Sequence, residues 1–328
     1  MQIRPASFLS KLTLMFIIIV IVFQLHVITE QPEKEKRVHR NISIAIIYNR
    51  VPKCGSTLMI ALLGLVFRKS HTLRFIKSRD YSSFRLSATD QLRLRQEIVN
   101  YSRQVNPTPI VYERHFRFVD FGFGMNRSLF YINQLRDPIK RVLSSYDYTR
   151  HRCKIDRPNK PCALSNRSLI NITMDTCVST GDPTSCIGEQ NGVTSAISFF
   201  CGQLSICDDT YKPITNYAAL ALAKSNIERY YLYVGLLEYI ESSLELLEFS
   251  YPAIFRGISK FYLTYFKDEP FYRTPAESRY PINKETRTIL RRLLKLEFEL
   301  YYFVQKRFID QYRRTFHRAP RRRDGKVR

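Results

Sequence analysis

The chain has 328 residues, enough for one large domain with its own core or for two small ones. An apolar fraction of 45% with 13% aromatic residues excludes a disordered chain. A formal charge of +23 at pH 7 calls for a polyanionic partner: nucleic acid, an anionic membrane or an acidic polysaccharide.

Residues 1–11 are a short leader carrying Arg4 and Lys11, and residues 12–28, LTLMFIIIVIVFQLHVI, are apolar and uncharged. That length is at the short end of a membrane-spanning helix. Basic residues before the span place the leader in the cytosol, so a transmembrane anchor at 12–28 is expected in type II orientation. A cleaved signal peptide is the alternative, but no small-x-small cleavage site follows the run. The short span suits a thin membrane of the early secretory pathway. A polar stem follows at 29–41, and everything beyond it is expected to be lumenal.

Two further signals agree with a lumen. Glycosylation sequons start at Asn41, Asn100, Asn126, Asn166 and Asn171. Six of the seven cysteines fall between Cys153 and Cys207. Their spacing suggests three small loops, Cys153/Cys162, Cys177/Cys186 and Cys201/Cys207, although other connectivities are open. Zinc is the rival, but there is no C-x-x-C pair or His-rich companion set, and no metal is expected. A lumenal location removes nucleic acid as a partner and leaves a lumenal polyanion.

Along the chain, residues 42–48 read as a buried, β-branched strand, followed by the loop Pro52-Lys53-Cys54-Gly55-Ser56 and an apolar helix at 57–67. A strand at 72–76, a helix at 89–101 and short strands at 110–112 and 129–134 come next. Pro138 opens a helix expected to run to about Arg150. Residues 151–195 carry the sequons, cysteines, Pro and Gly, and read as an irregular Cys-rich insertion. Helices are expected near Ala196, at 216–226 and at 239–249, with a strand at 230–234. The long stretch 284–316 shows helical spacing of Leu, Phe and Tyr. Alternating strands and helices predict a three-layer α/β domain with a mainly parallel sheet over 42–316. A basic tail at 317–328 looks solvated.

The first strand-loop-helix unit, ending in Pro52-Lys53-Cys54-Gly55-Ser56-Thr57, offers helix N–H groups to a phosphate. It lacks the full nucleotide-triphosphatase pattern, because the lysine precedes Gly-Ser-Thr, and alone it fits an ordinary turn equally well. The second unit is Arg136-Asp137-Pro138-Ile139-Lys140-Arg141-Val142-Leu143-Ser144-Ser145-Tyr146. Arg136 ends a strand and Ser144 lies on the next helix, a sensible pair for a second phosphate at the strand carboxyl ends.

These two motifs resemble the PAPS-binding motifs of Golgi sulfotransferases (PAPS is 3′-phosphoadenosine 5′-phosphosulfate). The wording Tyr48-Asn49-Arg50-Val51-Pro52-Lys53, with Phe199-Phe200-Cys201-Gly202 and Phe255-Arg256-Gly257 downstream, resembles the uronyl 2-O-sulfotransferases, which act on heparan, dermatan or chondroitin sulfate. The resemblance spans about residues 42–315. It implies that Lys53 is the cation near the transferring sulfuryl group, and that Cys54, Gly55, Ser56 and Thr57 hold the 5′ phosphosulfate. Arg136 and Ser144 would hold the 3′-phosphate, and Arg256 would add to the nucleotide site. Cys54 is a small loop residue rather than a nucleophile, because in-line sulfuryl transfer forms no covalent enzyme intermediate.

A histidine in the position of His115 acts as general base in the relatives, and a lumenal pH suits imidazole. The chain departs from both branches here: the heparan sulfate enzymes resemble His-x-His, whereas residue 113 is Glu, and the dermatan/chondroitin branch resembles Arg-His-x-His, whereas residue 117 is Arg. Arg114-His115 and Lys53-Cys54-Gly55-Ser56 lean toward dermatan or chondroitin uronate. Arg50, Glu113, Arg114 and Arg150 are the substrate-contact candidates. The expected protein is a Golgi type II membrane enzyme acting on a glycosaminoglycan, with a homotrimer implied by resemblance. Sulfation of another glycan hydroxyl, or a degenerate glycosaminoglycan-binding protein, are the alternatives.

Overall fold

The computed structural model describes residues 44–71, 73–78, 83–102, 109–122, 129–155, 164, 167–208, 216–269 and 281–323. The expected anchor, the stem, Asn41, Asn126, Asn166 and Cys162 lie outside the described residues. Among the described residues, no helix is long and apolar enough to cross a membrane.

Five strands form one wholly parallel sheet: β1 (Ala45–Asn49), β2 (Arg74–Lys77), β3 (Ile110–Arg114), β4 (Leu129–Leu135) and β5 (Tyr231–Leu236), in the order β2-β3-β1-β4-β5. Strand β1 is central, with Ala45 opposite Ile110 on one side and Leu129 on the other. Its five residues are all buried, as both faces of a parallel sheet must be. The chain runs to one side of β1 through β2 and β3, then to the other through β4 and β5. That reversal opens a crevice at the carboxyl ends of β1 and β4, the usual ligand position in such sheets.

The crossover helices are α1 (Ser56–Ser70), α2 (Ala88–Ser102), α3 (Pro138–Ile155), α6 (Ala196–Cys201) and α7 (Tyr217–Tyr230), and after the last strand come α8 (Ile240–Ser250), α9 (Pro252–Phe255), α10 (Ile258–Tyr265), α11 (Lys284–Leu293) and α12 (Lys295–Phe316). Helices α1, α8 and α10 pack together, as do α6, α7 and α12. Asn216 caps α7 through Ala219 N, and Asn283 caps α11 through Thr286 N.

One expectation needs correction. Among the described residues of 151–195 the segment is not irregular: α3 continues to Ile155, and the short helices α4 (Met174–Thr180) and α5 (Pro183–Cys186) follow. The local reason is capping. Thr173 accepts from Thr176 N, and Asp182 accepts from Thr184 N with Pro183 in the first turn. Cys177–Cys186 is a disulfide that ties α4 to α5. Met174, Val178 and Ile187 then share a second core with Val142 and Tyr146 of α3 and Leu290 of α11. Over 284–316 the helical spacing is realised as two helices that meet at Leu294, where φ is −91° and ψ is 20°.

Cys201–Cys207 is also a disulfide, while Cys153 is buried on α3 and its expected partner is not described. Asn100 and Asn171 are both exposed.

A buried polar network joins the two cores. Arg141 Nη1 donates to Thr194 O at 2.5 Å, and its Nη2 donates to Glu297 Oε2 at 3.2 Å. Glu297 Oε1 accepts from Ser195 Oγ at 2.5 Å and from Ile197 N at 3.3 Å. Arg141 is 1% exposed, so Glu297→Ala would leave a buried guanidinium without its counter-charge. The expected cost is about 3–5 kcal/mol, read as a fall in denaturant midpoint at constant m-value.

Candidate active site

The carboxyl ends of the central strands are drawn together by buried amides. Asn133 Nδ2 donates to Asn49 O at 2.7 Å, Asn49 Nδ2 donates to Phe199 O at 3.3 Å, and Tyr231 hydroxyl donates to Asn49 Oδ1 at 3.0 Å. These bonds hold β1, β4, β5 and the end of α6 at one point, and the loop after β1 starts from it.

That loop is bent by two left-handed residues, Lys53 at φ 64° and Gly55 at φ 81°. A Cβ on Gly55 would lie 2.7 Å from Leu237 Cδ1, so glycine is required by space as well as by φ. Gly55 is the N-cap of α1 and supplies no side-chain cap, which leaves the first-turn N–H groups of α1 directed outward. Pro52, Lys53, Gly55, Ser56 and Thr57 line a cavity of about 1040 Å³. Cys54 does not: its side chain is 1% exposed within the core, and burial pushes its thiol up to about 12. A protonated, buried thiol is no nucleophile.

Arg136, from the turn between β4 and α3, and Ser144, on α3, line the same cavity. Arg136 Nη1 also donates to Lys53 O at 3.4 Å, joining the two motifs. The Ser144 and Thr194 hydroxyls are buried with no hydrogen-bond partner among the described residues, and both residues line the cavity. Buried hydroxyls normally find partners. Two of them beside an arginine and an uncapped helix start fit a ligand with two anionic groups.

The third element is the turn after β3. His115 Nδ1 lies 2.8 Å from Arg50 O, and because a carbonyl only accepts, Nδ1 carries the proton. Nε2 is therefore the basic nitrogen of the neutral ring. His115 lines the cavity. Burial first, then Arg50 and Lys53, lower its pKa to about 4. Phe84 stands edge-on to the ring at 5.8 Å between centroids.

The substrate-contact candidates divide. Arg50 lines the cavity, and its Nε stands 2.5 Å from Glu113 Oε2. Glu113 and Arg114 are buried on β3 and are not among the lining residues. Burial pushes the Glu113 carboxyl up, and Arg50 opposes it. Arg150 is also outside the cavity: its Nε donates to Ile172 O at 3.0 Å, its Nη2 to Asn191 Oδ1 at 2.9 Å, and its guanidinium lies 3.2 Å over the Tyr146 ring. It holds the Cys-rich segment to α3. Arg256 is exposed at the turn before α10, outside the lining.

Several lining residues were not singled out from the sequence. Tyr148 puts its ring 3.7 Å from Lys53 Nζ. Arg323 comes from the segment expected to be a solvated tail. There, Arg321 N donates to Ser242 Oγ at 2.8 Å and Arg323 N to Glu238 O at 2.8 Å. Glu238 also receives Asp137 N at 3.0 Å and the Tyr301 hydroxyl at 3.1 Å, so the tail is braced against the second phosphate motif. No local pattern marks this, since the partners are remote in sequence.

Lys53 has its pKa lowered to about 8, by burial first and then by Arg136. A reaction that used a neutral His115 and a charged Lys53 would run between about 4 and about 8. The kcat/KM profile of the free enzyme is accordingly expected to rise through the first value, hold a plateau, and fall through the second. A Lys53→Arg variant that kept the alkaline fall would contradict that assignment.

A parallel α/β sheet whose central strand delivers an uncapped helix start, a lysine and a second arginine-hydroxyl station defines a phosphate-loop-type nucleotide-dependent transferase. Residues 40–304 match the family described as "Sulfotransferase family". Heparan sulfate 2-O-sulfotransferase 1 of Xenopus laevis is 32% identical over 289 residues, covering 87% of this chain and 75% of the relative. The Gallus gallus protein of the same description is 30% identical, covering 90% and 78%. Uronyl 2-sulfotransferase of Homo sapiens is 29% identical, covering 80% and 62%. The chain belongs to the sulfotransferase family, and its co-substrate is PAPS.

Proposed function

We propose that the protein transfers the sulfuryl group of PAPS to the 2-O position of a uronic acid in a glycosaminoglycan. The observation that carries this reading is His115, with Nδ1 pinned and Nε2 left basic, in the same cavity as the α1 start and the Arg136–Ser144 station. The similarity to heparan sulfate and uronyl 2-O-sulfotransferases supports the acceptor class.

PAPS supplies the sulfuryl group. The N–H groups at the start of α1, the hydroxyls of Ser56 and Thr57 and the Lys53 ammonium would hold its 5′ end. Arg136, Ser144 and Thr194 would hold its 3′-phosphate. His115 Nε2 takes the proton from the sugar hydroxyl, and the Arg50 carbonyl stabilises the imidazolium that results. Lys53 places positive charge where negative charge grows on the leaving side. The +23 formal charge supports a polyanionic acceptor.

Within that class, the Arg114-His115 signature favours dermatan or chondroitin uronate. Arg114 carries this as a signature only, since its side chain does not line the cavity. The disulfides Cys177–Cys186 and Cys201–Cys207 support an oxidising compartment, and we place the protein in the Golgi lumen on an N-terminal anchor. The test is labelled-sulfate transfer by the full chain to desulfated heparan, dermatan and chondroitin, followed by disaccharide analysis. Label on dermatan or chondroitin uronate is expected. Label on heparan uronate would overturn the branch, and label only on hexosamine or galactose would overturn the 2-O assignment.

A further inference from the structure

One wall of the cavity is built by three loops stapled together beside the base. Arg117 N donates to Phe84 O at 2.9 Å, Gln203 Nε2 donates to Arg117 O at 2.7 Å, and Leu86 N donates to Gln203 Oε1 at 2.8 Å. Onto this frame Asp208, one residue beyond the Cys201–Cys207 disulfide, projects a carboxylate that two guanidiniums share. Arg85 Nη1 stands 2.5 Å from Asp208 Oδ2, and Arg117 Nη1 donates to Asp208 Oδ1. All three residues line the cavity, on the same wall as Phe84, whose ring abuts His115.

Among the described residues the charges do not cancel: Arg50 is matched by Glu113, but Arg85 and Arg117 have one carboxylate between them. The Arg117 side chain is 9% exposed and serves as part of the wall, whereas that of Arg85 is 51% exposed, with donors left over on the open side. A guanidinium held on one edge by a carboxylate is pre-oriented to receive an anionic oxygen pair on the other. The neighbouring Phe84 ring packs against both His115 and Phe199, which fixes Arg85 in position relative to the base.

We infer that Arg85, oriented by Asp208 and Arg117, is an acceptor-binding residue that takes an anionic group of the polysaccharide, a carboxylate or a sulfate ester, next to the sugar that His115 deprotonates. This rests on the proposed acceptor class and adds to it a residue that sets specificity. Asp208 is a positioning residue: it touches Arg85 and not the acceptor. The reading separates from a plain surplus of charge. If only net charge mattered, Asp208→Asn would tighten the acceptor by removing a negative group. If orientation matters, the same variant must weaken it.

The experiment measures acceptor KM, kcat and PAP affinity for wild type, Arg85→Gln and Asp208→Asn, using desulfated chains, their carboxyl-reduced forms and sulfated carboxyl-reduced forms. Arg85→Gln is expected to raise acceptor KM by about tenfold, the loss of one charge-assisted contact. Asp208→Asn is expected to raise it as well, and PAP affinity, which also reports folding, stays unchanged in both. Loss of the Arg85 effect on carboxyl-reduced chains identifies a carboxylate as the ligand; an effect confined to sulfated chains identifies a sulfate ester. An unchanged KM in Arg85→Gln, or a lower one in Asp208→Asn, overturns the inference. If the wild type sulfates none of these chains, the proposed acceptor is wrong, and calorimetry with a heparin oligosaccharide on the PAP-loaded protein decides the inference alone. Weaker binding by Arg85→Gln supports it, and equal binding or none overturns it.

Discussion

His115→Ala is expected to lower kcat for sulfate transfer by about 10²–10⁴-fold, the usual worth of a positioned general base. The KM for PAPS should not move, because the groups proposed to bind the donor lie on the loop after β1 and on α3, which the substitution leaves in place. The size of the effect follows from the tautomer. With Nδ1 donating to Arg50 O, the ring has one basic nitrogen and no other task. Its pKa of about 4 keeps it neutral across the working range, ready to accept a proton but weak as a base until the developing negative charge of the reacting centre compensates Arg50 and Lys53. His115→Gln, which can keep a bond to the Arg50 carbonyl but cannot accept a full proton, should be as slow as alanine. A glutamine variant with near-normal kcat would show that the ring only orients the acceptor.

Lys53→Ala is expected to cost about 10²–10³-fold in kcat/KM, comparable to removing one preorganised electrostatic donor from a buried site. Lys53 stands where the backbone turns left-handed, so its ammonium is carried over the mouth of the loop and against the Tyr148 ring rather than out to solvent. The penalty has a pH signature. Because Lys53 titrates at about 8, wild type loses its own cation above that value, and the ratio of wild type to Lys53→Ala should shrink there. A ratio independent of pH would mean that the lysine acts through packing. Gly55 is a poor site for this kind of test, since a side chain there is strained at φ 81° and meets Leu237 Cδ1.

Much of the architecture was legible because its signals are local. The strands β1, β3 and β4 announce themselves as short β-branched runs, and Pro138 marks the start of α3. The shared cavity was legible for the same reason: Lys53, Gly55, Ser56, Thr57, Arg136 and Ser144, which all line it, sit at fixed offsets from strand ends, and the sheet brings those ends together. What failed is instructive in each case. The division of 284–316 into two helices at Leu294 has no Gly or Pro to signal it. Arg150 was a substrate-contact candidate at the expected end of a helix, yet α3 continues to Ile155, and the arginine turns inward to hold the segment around Ile172 and Asn191. The acceptor wall was invisible because Arg85, Arg117 and Asp208 come from three loops far apart in sequence. Thr194 and Arg323 reach the cavity through Arg141 and Glu238, contacts that no local window contains.

The most direct test is transfer of labelled sulfate from PAPS to desulfated uronate-containing chains by the full-length protein, run beside calorimetric titration with PAP. PAP binding together with label at uronate O-2, abolished in His115→Ala while PAP still binds, is the predicted result. PAP binding with no transfer to any of these chains, or transfer that survives His115→Ala, would contradict it.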